Sequence, residues 1–155
     1  MNARLYRTSA SDPAFVKLVA LLDKELALRD GDEHAFYNQF NHIDSLKHVV
    51  ILKEKDRAIG CGAIKVLSKE SMEIKRMYVS KNVRGRGLAG LILEELEKWS
   101  LELGYSYSRL ETGKRQPEAI ALYERKGYKI IPNYGQYVNV RNSLCFEKNL
   151  EADKT

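Results

Sequence analysis

Met72-Glu73-Ile74-Lys75-Arg76-Met77-Tyr78-Val79, followed after a short connection by Arg84-Gly85-Arg86-Gly87-Leu88-Ala89, decides how this chain folds. The first run alternates as a strand does, but its apolar residues sit at Met72 and Ile74 and then at Met77 and Val79. The period-two pattern therefore slips by one residue in between. A β-bulge produces such a slip, and so does a slightly irregular strand. The second run sets glycines and two arginines ahead of a segment, Leu88 to Leu103, in which Leu91, Ile92, Leu96 and Trp99 recur at helical spacing. Strand, glycine-rich turn and helix in that order bring the unpaired N–H groups of a helix's first turn and fixed positive charge to one point, which suits a pyrophosphate. The Gly-Lys-Ser/Thr ending of a P-loop is missing, and only part of a dinucleotide-binding Gly-x-Gly-x-x-Gly is present. Taken alone, the loop reads equally well as a glycine-tightened turn with solvated arginines.

Outward from this centre the elements continue without a linker, repeat or low-complexity tract. Arg4 to Thr8 is a short opening strand. Ser11-Asp12-Pro13 starts a helix in which Phe15, Leu18, Val19, Leu22 and Leu26 share a face up to about Arg29. Asp30-Gly31-Asp32-Glu33 breaks it, and Ala35-Phe36-Tyr37 with Phe40 reads as a short second helix. His48 to Lys53 and Ala58 to Leu67 form a hairpin about Lys55-Asp56. Beyond the central helix come a strand at Tyr107 to Glu111, a helix from Pro117 to Arg125 ended by Gly127, and closing strands at Tyr128 to Ile131 and Leu144 to Glu147. Hairpins first and helix-strand alternation later imply an α/β (α+β) fold, a mixed sheet with helices on its faces. Residues 1–150 are read as a single domain with 151–155 as a tail.

The loop, with Arg84, Gly87 and Ala89 in place, resembles the Gln/Arg-x-x-Gly-x-Gly/Ala signature of the GNAT superfamily of acetyltransferases. Gln116-Pro117-Glu118-Ala119-Ile120-Ala121-Leu122-Tyr123-Glu124-Arg125-Lys126-Gly127-Tyr128 is similar to its second signature, Asn-x-x-Ala-x-x-x-Tyr-x-x-x-Gly-Phe/Tyr, with Gln116 where many members carry Asn. The resemblance implies a mostly antiparallel central sheet splayed into a V at a bulge, and acetyl-CoA as co-substrate. The backbone of Met77 to Val79, including Tyr78, would meet the pantetheine arm. Arg84, Gly85, Arg86, Gly87, Leu88 and Ala89 would cradle the pyrophosphate, and Gln116 would stand near the pantetheine.

The same resemblance implies roles in catalysis. Tyr123 stands for the tyrosine that protonates the departing thiolate, against its plain reading as a helix residue packed on the sheet. Glu73 stands for the glutamate that some members use as general base, against a strand glutamate paired with Lys75. With the bulge after Ile74, Glu73, Arg76 and Tyr78 would share a face away from the core and line the acceptor cleft. The backbone N–H of Met77 would polarise the carbonyl. Tyr37, Tyr134 and Tyr137 would line the acceptor site, and Arg76 would pair with a carboxylate on the acceptor. The implied reaction is transfer of an acetyl group to a primary amine of a small molecule. A peptide or protein amine, or a non-catalytic acyl-CoA-binding domain, are the alternatives.

Composition bounds these readings. The chain has 155 residues, 44% hydrophobic and 30% charged, as expected of one soluble globular domain. No apolar run approaches the roughly 20 residues of a membrane helix. The first residues lack a secretory signal, so a cytoplasmic, membrane-free protein is expected. Cys61 and Cys145 read as reduced core thiols. His34, His42 and His48 have no ligand spacing, so no metal is expected. The net charge of +5 suits an anionic cofactor or a nucleic acid, but the basic residues are dispersed and a nucleic-acid partner is not expected. A monomer or homodimer is anticipated.

Overall fold

A computed structural model describes residues 3–30 and 46–153. Its sheet has the order β1-β2-β3-β4-β5-β7-β6. The strands are β1 (Ala3–Thr8), β2 (His48–Glu54), β3 (Arg57–Val66), β4 (Ser71–Val79), β5 (Tyr107–Gly113), β6 (Lys129–Ile131) and β7 (Ser143–Asn149). Three α-helices stand among the described residues: α1 (Pro13–Asp30), α2 (Leu88–Glu102) and α3 (Pro117–Arg125). The expected helix about Tyr37 lies outside the described residues. Each remaining expected element is present, with ends shifted by a residue or two.

The strands alternate between two cores. In β2, Val50 and Leu52 point to a core built with Ile92, Leu93 and Leu96 of α2, whereas Val49 and Ile51 point to one built with Phe15, Leu18 and Leu22 of α1. Each such aliphatic side chain taken fully out of water contributes roughly 1.5–3 kcal/mol. Helices therefore cover both faces, and α1 is launched by Asp12, whose carboxylate accepts the Ala14 N–H at 2.9 Å, with Pro13 in the first turn.

Strand pairing is antiparallel except between β4 and β5, which run parallel and pair only over Ser71–Glu73 and Tyr107–Arg109. Past those three rungs the strands diverge and the sheet opens. The slip read from the sequence is a true bulge: Cys61 faces Tyr78 and Ala63 faces Lys75, so Arg76 and Met77 together oppose Gly62. Arg76 takes the left-handed conformation, with φ of 58°. Glycine at 62 lets Met77 and α2 close onto β3, since a Cβ there would lie 2.6 Å from Met77 Sδ and 2.8 Å from Leu96 Cδ1. At the C-terminal end, Leu150–Asp153 forms a 3-10 turn whose Leu150 is buried, and the Leu150 N–H donates to Ser106 O at 2.8 Å.

Candidate active site

The opening between β4 and β5 is a cavity of about 630 Å³, within the range of sites that hold small ligands. It is walled by β4 from Glu73 to Val79, by the end of β5, by the loop that leads into α2, by α3 and by the C-terminal half of α1.

Gly85 and Gly87 have φ of 85° and 75°, conformations that other residues adopt at a cost, and Gly87 caps α2 without any side chain on the cap. Space is open around both glycines. The first turn of α2 thus presents N–H groups that no capping side chain accepts, and a pyrophosphate fits the place. Arg84, Gly85, Gly87, Leu88 and Ala89 line the cavity. Arg86 turns away to pair with Glu54 at the end of β2. Arg84 reaches back across the loop, its Nε donating to Val79 O at 2.8 Å and its Nη2 to Glu25 at 2.9 Å. Glu25 also lies 3.8 Å from Arg29, which makes a bidentate pair with Glu118 at the start of α3. Gln116 precedes α3 and lines the cavity.

Tyr123 of α3 enters the cavity from the α2 side. It is 6% exposed, its ring packs on Tyr128 and Phe146, and its hydroxyl has no hydrogen-bond partner among the described residues. Burial, and then the carboxylate of Glu111, push its pKa well above the ordinary phenol value, so the phenol keeps its proton. Tyr128 is held differently: its hydroxyl joins Ser108 at 2.7 Å and donates to Glu97 at 2.8 Å, and Lys148 completes the network at 3.0 Å from Glu97.

Glu73 enters from the α1 side. It is buried, accepts the Tyr134 hydroxyl at 2.5 Å and lies 3.2 Å from Lys75 Nζ. Burial first, then the charge of Glu73, hold Tyr134 protonated, and burial followed by Glu111 and Glu73 does the same for Tyr137. Tyr137 lines the cavity, whereas Tyr134 stands behind Glu73.

Two expectations change. The face shared by Glu73, Arg76 and Tyr78 is not turned away from the core: Tyr78 packs into the α1 core because α1 lies directly over this half of the sheet. The Arg76 guanidinium is held by Asp23 of α1 at 2.6 Å, with its side chain 4% exposed, so it already has a carboxylate within the protein. Lys75 and Glu111, which line the cavity, were not singled out as site residues. Lys75 was legible as the neighbour of Glu73 on one face, two residues along a strand. Glu111 carried no comparable signal. Tyr37 is outside the described residues. Cys61 and Cys145 are buried free thiols, the first pushed up to about 12 by burial, and no metal-binding group of side chains occurs among the described residues.

Residues 15–128 match the acetyltransferase (GNAT) family. The chain belongs to this family. Along 96% of its length it is 31% identical to an IAA acetyltransferase of Azospirillum brasilense, covering 99% of that relative. It shares 27% identity with a protein of Klebsiella pneumoniae described as an acyl-CoA N-acyltransferase, whose crystal structure superposes with a TM-score of 0.81 over 96% of this chain and 97% of that one. A GNAT family acetyltransferase of Elizabethkingia anophelis solved with acetyl-CoA bound has the same fold, with a TM-score of 0.69 at 16% identity over 96% and 98% of the two chains. This GNAT protein is therefore an acyltransferase that takes acetyl-CoA as co-substrate. No helix among the described residues is long and apolar enough to cross a membrane.

Proposed function

We propose that this enzyme acetylates a primary amine of a small molecule by direct transfer, with Glu73 as base and Tyr123 as acid. The observation that carries the reading is that these two side chains, belonging to opposite faces of the sheet, line one cavity at the seam where β4 and β5 part. A cavity of about 630 Å³ that also admits a pantetheine arm leaves room for a compact acceptor rather than a folded protein surface.

Acetyl-CoA supplies the activated acetyl thioester. Gly85, Gly87, Leu88 and Ala89, with the first-turn N–H groups of α2, bind and orient its pyrophosphate while Arg84 holds the loop to Val79 O, and Gln116 and the backbone of Met77 to Val79 guide the pantetheine arm. Glu73, held in place by Tyr134, takes a proton from the acceptor ammonium so that a neutral amine attacks. The N–H of Met77 beside the bulge donates to the carbonyl oxygen as negative charge develops there. Tyr123, whose phenol keeps its proton, delivers it to the departing sulfur as the C–S bond breaks, and the phenolate takes back the second proton that the new amide nitrogen sheds.

The test follows free CoA released from acetyl-CoA with amino acids, polyamines, aminoglycosides and lysine-containing peptides. Turnover is expected with one small-molecule class and lost in Glu73→Gln. Turnover with peptides alone would overturn the small-molecule reading. Acetyl-CoA binding without turnover on any amine would leave a binding domain.

A further inference from the structure

Lys75 follows Glu73 on the same face of β4, one residue before the bulge, and its side chain is 11% exposed at the cavity wall. A lysine ammonium has three N–H donors. Here it has an ion-pair contact with Glu73 Oε1 at 3.2 Å, a long hydrogen bond to Tyr137 Oη at 3.5 Å, and the Tyr137 ring at 5.9 Å. Its donor capacity is therefore unfilled among the described residues, in a place where burial makes an unfilled donor costly. The arginines along the wall have settled partners: Arg76 with Asp23, Arg84 with Glu25 and Arg29 with Glu118. Arg125 lies on the exposed end of α3.

The wall carries carboxylates as well. Glu73 and Glu111 line the same wall, Glu111 accepting the Ser143 hydroxyl at 2.6 Å. Behind them Arg109 is committed to Glu147 at 2.7 Å. The wall thus offers carboxylates for an ammonium and, 3.2 Å from one of them, an ammonium with donors to spare for an anion. A ligand that matches both carries its amine and a carboxylate close together.

We propose that the acceptor is an amino carboxylate, with its amine at Glu73 and its carboxylate on Lys75 Nζ, and that Lys75 is the residue that selects it. The spacing favours a nitrogen and a carboxylate separated by one or two carbons. The inference rests on the small-molecule reading above, and it moves carboxylate recognition from Arg76 to its neighbour in sequence.

The experiment compares each amino acid acceptor with its methyl ester and its decarboxylated amine, in wild type, Lys75→Met and Lys75→Arg, by CoA release. A charge-assisted hydrogen bond lost to one partner corresponds to about a tenfold effect or more. Wild type is expected to favour the free acid by at least that factor in kcat/KM. Lys75→Met should lose the preference, its acid-to-ester ratio of kcat/KM falling to about one whatever its absolute rate, and Lys75→Arg should restore the preference. Equal losses on acid and ester in Lys75→Met, or no preference in wild type, overturn the proposal. Titration of N-acetylated amino acids and their amides into the enzyme with CoA, followed by calorimetry, separates this from the catalytic reading. If no amine turns over, acid-selective binding that Lys75→Met abolishes still supports Lys75, and indifference to the carboxylate refutes it. A Lys75→Met protein without cooperative thermal unfolding is set aside, and the wild-type and Lys75→Arg comparisons decide.

Discussion

Replacing Tyr123 by Phe should make the protein slower and, unusually for a buried polar change, more stable. The ring contacts to Tyr128 and Phe146, at centroid distances of 5.8 and 6.2 Å, survive the substitution. What is removed is a buried hydroxyl with no hydrogen-bond partner among the described residues, and an unsatisfied buried group costs about 1–3 kcal/mol. Because Tyr123 lines the cavity, the lower end applies, and a gain of about 1 kcal/mol raises Tm by about 2–4 °C in a chain of this length. In the proposed mechanism the same hydroxyl gives its proton to the leaving sulfur, so kcat should fall by about 10²–10⁴. Since burial and Glu111 hold the phenol protonated far beyond its ordinary value, wild-type activity should show no alkaline limb from this group up to about pH 10. Scanning calorimetry and CoA release on one preparation decide the matter. A variant that loses stability while keeping its kcat would show that the hydroxyl is structural and that the acid lies elsewhere.

Gly62→Ala should cost about 1–3 kcal/mol, because its Cβ would lie 2.6 Å from Met77 Sδ and 2.8 Å from Leu96 Cδ1. Urea unfolding should show a lower midpoint at unchanged slope, and displacement of Met77 should weaken acetyl-CoA binding; an unchanged midpoint would refute the close approach. His48, packed edge-on against Trp99 at 4.8 Å, has its pKa lowered by burial and then by Lys47. Its unfolded form takes up a proton near pH 6.5 while the folded form resists, so stability falls as pH drops below about 6.5 until the lowered folded value is passed. The wild-type urea midpoint should therefore decline more than that of His48→Gln between about pH 7.5 and 5.5, and parallel declines would assign the acid sensitivity to other groups.

The elements were legible because each carries its own local pattern. Phe15, Leu18 and Leu22 repeat with the period of a helix that lies on one core, and the slip between Ile74 and Met77 records the bulge in the order of the residues themselves. The glycine loop was legible for the same reason: positive φ at Gly85 and Gly87 needs glycine, and the letters show it. What the sequence could not display is which charges neutralise one another. Arg76 meets Asp23 and Glu73 meets Tyr134 only after β4, α1 and the loop before β7 are packed together, and nothing in the spacing of either pair announces it. The expectation for Arg76 changed at this point. An arginine on a strand beside a bulge reads as a ligand-binding group until a helix from elsewhere in the chain supplies its carboxylate.

The three rungs between β4 and β5 join two consecutive stretches of the chain, residues 3–79 with α2 and residues 107–149 with α3. During synthesis β1 to β4, α1 and α2 emerge before β5. β4 then stands as an edge, and a regular edge strand is a template for stray pairing between nascent chains. The turn of Arg76 into the left-handed conformation interrupts that edge about midway along the strand. An edge interrupted in this way is a poor template for such pairing.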